Sequence, residues 1–359
     1  MTKYPAIEII GAPGSPYTRK MIALLRYRRI EHTVHWGDPG QLLQARGLPK
    51  PKVALLPTLL VHQSDETEVL IDSTPIIRVL DAQFKNRCLR PQSDPALALI
   101  DSLIEDFADE WGTKLMFHYR WNFQADIDLC AHTLPLGMAP QLTNDQAMQF
   151  GKTFAERQIG RLRYVGSNET TAPIIEAAYQ RLLTLLDALL EQQRFFLGNR
   201  PGAGDFAWFG QLSQLALYDP TPRQLAGNIA PRLVAWTSTM EDLSGLEVTE
   251  NQWQSTDQLK AMLNPLLSEI GAVYTPLLLA NATAVAEGQP HWQAEIAGAV
   301  WEQDTFPYQA KCLQALQEEY GQLTPLQQRS VMELLAGTGC EAMFAGAPTA
   351  QIKATAPQR

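Results

Sequence analysis

Six residues at the end of a short β-branched run pose the first chemical question. Ser15-Pro16-Tyr17-Thr18-Arg19-Lys20 follows the run Ala6-Ile7-Glu8-Ile9-Ile10 and the turn cluster Gly11-Ala12-Pro13-Gly14. It opens a segment, residues 17–29, whose apolar side chains recur at helical spacing. A helix that starts there presents unpaired backbone amides and the positive end of its dipole. Such an end stabilises an anion placed against it, a thiolate included. Ser15 sets a hydroxyl at that point, and Tyr17 is the rival hydroxyl two residues on. Neither has a histidine nearby in sequence to act as its base, so attack on a substrate is not the chemistry to expect. A hydroxyl there can still donate a hydrogen bond to an anion held at the helix start.

A second group lies in Asp106-Phe107-Ala108-Asp109-Glu110-Trp111-Gly112-Thr113-Lys114-Leu115-Met116-Phe117-His118-Tyr119-Arg120-Trp121. Glu110, Lys114 and His118 stand four apart and share a helix face, with Asp106 one turn earlier. Two readings fit: an ion-pair ladder on a helix surface, or polar contacts to a ligand made by Glu110, His118 or Arg120. Trp111, Phe117 and Tyr119 read as core. His118 and His132 lack nearby ligand pairs, and His32 and His35 point to opposite sides of a strand, so no metal is expected. Arg26, Arg28 and Arg29, with Arg19 and Lys20, are the one basic patch to nominate for nucleic acid. The chain carries 29 basic and 38 acidic residues, a net charge of −9, which favours a solvated face instead. No phosphate-loop or dinucleotide glycine motif is present.

The elements that must position these residues divide the 359-residue chain. Up to about residue 85, strand and helix signals alternate: strand 6–10, helix 17–29, strand 32–36, broken by Gly37-Asp38-Pro39-Gly40. Then comes the run Leu55 to Val61, interrupted by Pro57, a polar turn at Gln63-Ser64-Asp65-Glu66, and the hairpin partner Glu68-Val69-Leu70-Ile71. Asp72-Ser73-Thr74-Pro75 starts a helix, with Ser73 as the cap and Pro75 in the first turn. Residues 85–94 suit a linker. From about residue 94 strand signals vanish, and 96–118, 143–164, 171–193, 204–218 and 230–242 read as helices. A break after Leu243 precedes two more helices, 257–287 and 308–337. The tail beyond Gly346 is small, polar and mobile in expectation. Cys88, Cys130, Cys312 and Cys340 stand at no zinc-ligand spacing and form no disulfide framework, which reads as a reduced, cytoplasmic protein. The longest apolar stretch, Thr275 to Ala286, falls short of a membrane span. The Asn-x-Thr triplets at Asn168 and Asn281 read as chance.

In glutaredoxin-like proteins the position of Ser15-Pro16-Tyr17-Thr18 holds Cys-Pro-Tyr-Cys. With both cysteines replaced, the chain resembles the glutathione S-transferase superfamily, whose members place Ser, Cys or Tyr near this point. Leu56-Pro57 matches the superfamily's cis-proline and the residue before it. Asp72-Ser73 matches its acidic-Ser pair. Phe196-Leu197-Gly198 followed by Pro201-Gly202-Ala203-Gly204-Asp205 resembles its buried N-capping box, with Gly202 in place of the usual Ser or Thr. The resemblance covers about residues 6–243. It implies an α/β thioredoxin-like domain (1–85), an all-α domain (95–243) and a helical C-terminal extension (244–345), ahead of the tail 346–359. It also implies glutathione as cosubstrate, bound by Ser15, Leu56, Pro57, Asp72 and Ser73. Ser15 or Tyr17 would face the sulfur. Glu110, Lys114 and His118 would line the cleft for a hydrophobic electrophile. A homodimer is implied, with neither nucleic acid nor membrane as partner. The function implied is that of a transferase that directs the glutathione thiolate at an electrophile. The alternatives are a glutathione-dependent β-etherase or a non-catalytic scaffold on the same fold.

Overall fold

The computed structural model describes residues 6–345 apart from Ala54, Ser64 and Asp65. The expected polar turn at Ser64-Asp65, the first five residues and the tail beyond Ala345 lie outside the described residues. The first unit is built from β1 (Ala6–Gly11), α1 (Pro16–Tyr27), β2 (His32–Trp36), α2 (Pro39–Ala45), β3 (Thr58–His62), β4 (Thr67–Ile71) and α3 (Ser73–Gln83). The sheet order is β2-β1-β3-β4, with β1 parallel to β2 and antiparallel to β3. This is the expected thioredoxin-like arrangement. Ile7 and Ile9 pack with Met21, Leu24, Leu25, Ile76, Ile77 and Leu80 on one face of the sheet. Ile10 and Leu60 pack with Leu43 on the other.

Helix α2 was not expected, because Gly37-Asp38-Pro39-Gly40 reads as a break. Asp38 instead caps the helix, its side chain accepting the Gln41 N–H, and Pro39 takes the first helical position. At α3 the cap is Asp72 rather than Ser73; Asp72 has φ 75° and makes no side-chain cap bond.

The helical part runs α4 (Pro95–Phe107), a π turn (Ala108–Gly112), α5 (Thr113–Asn122), α6 (Gln124–Met138), α7 (Asn144–Ile159), α8 (Ala172–Gln192), α9 (Ala203–Leu215), α10 (Pro220–Ile229) and α11 (Pro231–Met240). Helices α6 and α10 fall between the helical stretches that the periodicity marks, and each carries prolines that weaken the pattern, Pro135 inside α6 and Pro220 and Pro222 at the start of α10. The extension holds α12 (Thr256–Glu269), a second π turn (Ile270–Tyr274), α13 (Thr275–Ala286), the hairpin β5 (His291–Ile296) and β6 (Ala299–Asp304), α14 (Pro307–Gly321) and α15 (Pro325–Leu335). The hairpin corrects the reading that strand signals end near residue 94. The expected helix 308–337 is two helices, with Thr324 capping the second. Residues 256–286 form one continuous helical stretch, long and apolar enough to cross a membrane by length and composition. Leu259, Leu263, Leu266, Leu267, Leu277 and Leu278 of it are buried in the shared core. Asn281 is buried as well, its side chain holding the backbone N–H and C=O of Phe306 at 2.8 Å each.

The basic cluster of α1 is spent within the chain. Arg19 and Arg26 pair with Glu241, Arg28 with Asp81, and Arg29 with Glu247. None of the four cysteines is in a disulfide.

The start of α9 explains Gly202. Asp205 reaches back to the Gly202 N–H at 2.9 Å and to the Phe196 N–H at 3.0 Å. The missing cap oxygen comes from α4, where Asp101 accepts the Ala203 and Gly204 N–H groups at 2.9 and 3.0 Å. A side chain at residue 202 would collide with that carboxylate. Burial pushes Asp101 up to about 7 and Asp205 up to about 8, against the pull of these amides. Asp101→Ala should therefore cost about 2–4 kcal/mol, two buried bonds to a charged acceptor. The check is a lower urea midpoint at unchanged slope. A midpoint equal to that of the wild type would remove Asp101 from this role.

Candidate functional site

Strand register gathers the expected binding residues at one end of the sheet. Ile10 pairs with Thr58, and Thr58 with Ile71. The segments that leave this row are Gly11 to Ser15, Leu56-Pro57 and Asp72-Ser73. The Leu56-Pro57 bond is cis. Among the described residues no protein group bonds the Leu56 N–H or C=O. That leaves a peptide-like edge available, as for strand addition.

Ser15 is the N-cap of α1, in extended conformation (φ −94°, ψ 119°), with Pro16 at the first helical position. Its Oγ accepts the Thr18 N–H at 3.2 Å. The hydroxyl hydrogen has no acceptor among the described residues, so Ser15 can cap the helix and still donate outward. The loop before it is held from the helical part: Arg120 donates to the Gly14 carbonyl at 2.7 Å. Arg120 is fixed in turn by both oxygens of Asp219 and by Gln214. Gly210 of α9 lets α1 come close, since a Cβ there would stand 2.5 Å from the Pro16 carbonyl oxygen. Tyr17 points elsewhere. Its hydroxyl donates to the Asp109 carbonyl at 2.8 Å and lies 2.7 Å from Thr113 Oγ1. Burial, then the charges of Glu110 and Asp109, hold its phenol well above the usual range.

Beneath these loops sits a buried ion cluster that the sequence did not announce. Lys20, one turn into α1, donates to Glu105 at 2.7 Å, to Asp109 at 2.6 Å and to Ser73 Oγ at 3.2 Å. Thr74 adds a bond to Glu105 at 3.1 Å. Ser73 is only 4% exposed. Burial pushes Asp109 up to about 7 although Lys20 pulls it down. The two acids raise the Lys20 ammonium above its ordinary value despite the burial that opposes it.

The face Asp106–Glu110–Lys114–His118 exists, but it does not border an open cleft. Tyr274 donates to Asp106 at 2.6 Å. Gln309 donates to Glu110 at 3.1 Å. Lys114 donates to Gln303 at 2.8 Å and to the Val165 carbonyl at 3.2 Å. His118 Nδ1 meets Ser167 Oγ at 2.8 Å, and Nε2 meets Glu176 at 3.3 Å. Three of the four residues of this face, Asp106, Glu110 and Lys114, therefore find a partner in the extension, whereas His118 is held within the helical part. Lys114 and His118 are 2% and 0% exposed. Burial, then the charge of Asp106, pushes Glu110 up to about 8, and burial pushes Lys114 down to about 7, so both lean to their neutral forms. Burial also lowers His118, against Glu176.

Tyr308, at the start of α14, donates to Asp72 Oδ2 at 2.6 Å. Sequence spacing does not reveal the roles of Lys20 and Tyr308, because their partners lie 85, 89 and 236 positions away. The one signal for Lys20 was a lysine on the apolar side of α1, four residues before Leu24. Two open surface clefts, about 430 Å³ beside Arg181 and Pro265 and about 610 Å³ beside Arg194 and Leu246, share none of these residues. Among the described residues no three His, Cys, Asp or Glu side chains group as metal ligands.

Two family models match the chain. They are the glutathione S-transferase N-terminal domain, over residues 9–88, and the glutathione S-transferase C-terminal domain, over residues 156–237. No curated protein matches. Among solved structures the chain is similar to a glutathione S-transferase from Rhodospirillum rubrum F11, at 14% identity over 70% of this chain and 98% of that one, with a TM-score of 0.40. It is also similar to a Tau class glutathione S-transferase from mango, at 18% identity, 70% and 94% coverage and a TM-score of 0.38. A third is a maleylacetoacetate isomerase from Anaeromyxobacter dehalogenans 2CP-1 with bound dicarboxyethyl glutathione and citrate, at 13% identity, 70% and 98% coverage and a TM-score of 0.35. Likeness at these scores carries no weight for the reaction.

Proposed function

The chain belongs to the glutathione S-transferase superfamily, and from that premise we infer that it binds glutathione at the sheet end formed by Ser15, Leu56, Pro57, Asp72 and Ser73. The observation that carries this reading is the register Ile10–Thr58–Ile71, which sets the three segments side by side. Leu56 offers its unpaired backbone N–H and C=O to the cysteinyl unit. Asp72 accepts from the γ-glutamyl ammonium, and the start of α3 with Ser73 receives the γ-glutamyl carboxylate. Ser15 donates its spare hydrogen to the sulfur, which stabilises the thiolate at the start of α1. Tyr17 has its hydroxyl committed to Asp109 and Thr113, which favours Ser15 for this role. The reaction proposed is transfer of the glutathione sulfur to an electrophilic small molecule. Homodimeric assembly and a cytoplasmic setting rest on family membership alone.

Titrating the thiolate absorbance of bound glutathione tests the assignment. Ser15→Ala should raise the bound thiol's pKa by about 1–2, the worth of one hydrogen bond to a charged group. Affinity should stay nearly unchanged, and Tyr17→Phe should leave the pKa where it is. A rise in Tyr17→Phe with none in Ser15→Ala would transfer the role to the tyrosine.

A second reading has its own support. The extension bonds Glu110 and Lys114, and Ser167 and Glu176 bond His118, so protein groups occupy the face that would line the second-substrate cleft. A glutathione-binding protein without turnover fits that arrangement. Conjugation, ether cleavage and peroxide reduction assayed on the same preparation separate the two. Binding without any of the three would favour the scaffold.

A further inference from the structure

The segment that leads into α14 is held firmly. Asn281, buried on α13, clamps both backbone groups of Phe306, and the indole N–H of Trp292 in β5 holds Asn281 Oδ1 at 3.2 Å. From that clamp α14 runs beside α13 and α4 and reaches the α3 region through side chains at its two ends. At its start Tyr308 bonds Asp72, just before α3, and Gln309 bonds Glu110. Toward its end Glu319 pairs with Arg90 and lies 3.7 Å from Arg78, in the second turn of α3. Glu319 lies eleven positions after Tyr308, about 16 Å of helical rise. The start of α14 therefore stands at the very end of α3 that would receive a γ-glutamyl group.

The chemistry at Asp72 is specific. Its carboxylate makes no cap bond to α3, and the extension fills it with one donor, the Tyr308 hydroxyl. An ammonium group of a γ-glutamyl ligand needs the same acceptor. We propose that Tyr308 is an internal occupant of the γ-glutamyl subsite, and that glutathione binds by displacing the Tyr308 hydroxyl from Asp72, the side chain turning away while the clamped backbone stays in place. The inference rests on the glutathione reading above and adds a competing intramolecular donor. The helix is anchored on both sides of Tyr308, by Asn281 on Phe306 and by the ion pair of Glu319 with Arg90, whereas the Tyr308–Asp72 bond lies at an exposed position where water competes. The Tyr308 side chain is the part that yields.

Calorimetric titration of glutathione into the full chain and into Tyr308→Phe tests this. The phenyl ring keeps the packing and removes only the hydroxyl, so the variant keeps its fold, which thermal unfolding verifies. Tyr308→Phe should bind glutathione about fivefold more tightly, the worth of one hydrogen bond lost from the closed state. In the wild type, the NMR signal of a ring-labelled Tyr308 should shift toward that of a solvent-exposed tyrosine when glutathione is added, while the backbone signals of Phe306 and Glu319 hold. Equal or weaker binding by Tyr308→Phe, with the Tyr308 ring signal unaltered by the ligand, would overturn the competition and leave the glutathione site standing. Binding by neither protein, with both folded, would remove the glutathione reading and this inference with it.

Discussion

Lys20→Met should lower folding stability by about 3–5 kcal/mol, the range for removing one partner of a buried ion cluster. The methionine fills nearly the same volume, so packing is not what is lost. What is lost is the cation between Glu105 and Asp109, at 2.7 and 2.6 Å, with the side chain of Lys20 fully enclosed. The pH dependence follows from Asp109. Burial raises it to about 7 in the fold although Lys20 pulls down, against about 3.9 for an unfolded aspartate. A group raised in the folded state contributes stability that is complete below its unfolded value and is lost as pH rises through the folded one. Without Lys20 that rise is larger, so the deficit should be small near pH 5 and greatest above pH 7. Adding Glu105→Gln and Asp109→Asn to Lys20→Met should recover part of the loss. Urea unfolding of the three proteins at pH 5 and pH 8 is the measurement. A deficit that does not depend on pH would mean that packing, and not charge, sets the cost.

Trp301→Ala should cost about 3–5 kcal/mol, as truncations of buried tryptophan do. Trp301 is fully buried on β6, with its ring centroid 5.4 Å from that of Trp111. It also lies against Gly166, where φ is 72° and a Cβ would stand 2.7 Å from the indole. The truncation leaves a cavity at the seam between the hairpin and the helical part, beside the buried Lys114. Lys114 would then reach water, and its pKa should return upward from about 7. A fall in the urea midpoint by the stated amount, with loss of quenching of the neighbouring tryptophan fluorescence, is the expected result. A loss under about 1 kcal/mol would show that the hairpin contributes little to the core.

The sheet unit was legible in the sequence because its signals are local. The β-branched runs, Gly11-Ala12-Pro13-Gly14 and Pro57 each mark a boundary within a few residues. Helix α2 was not legible, because the glycines on both sides of Asp38-Pro39 read as a break and mask a usable cap. The hairpin had a usable alternation, Trp292, Ala294 and Ile296 inward on β5, which was overlooked between two strong helical stretches. The site was half legible. Ser15, Leu56, Asp72 and Ser73 fall where sequence order puts them, and register brings them together. Lys20 with its two acids, Arg120 on the Gly14 carbonyl and Tyr308 on Asp72 depend on how separate elements dock, and no periodicity encodes that. The polar face from Asp106 to His118 was found, but whether water, substrate or protein covers such a face is decided by tertiary structure.

The cap that Asp101 lends to α9 bears on the order of folding events. A helix with a serine or threonine cap can stop fraying as soon as its own first turn forms. The start of α9 has no such oxygen at Gly202 and takes it from a residue about a hundred positions earlier. Its first turn is thus completed only when α4 has already docked. Formation of α9 and closure of that long loop become one event, and the barrier carries the loop's entropy. In kinetic terms, Asp101 reports on whether the α4–α9 contact belongs to the nucleus. Slower refolding in Asp101→Ala would place it there, and faster unfolding alone would place it after the barrier.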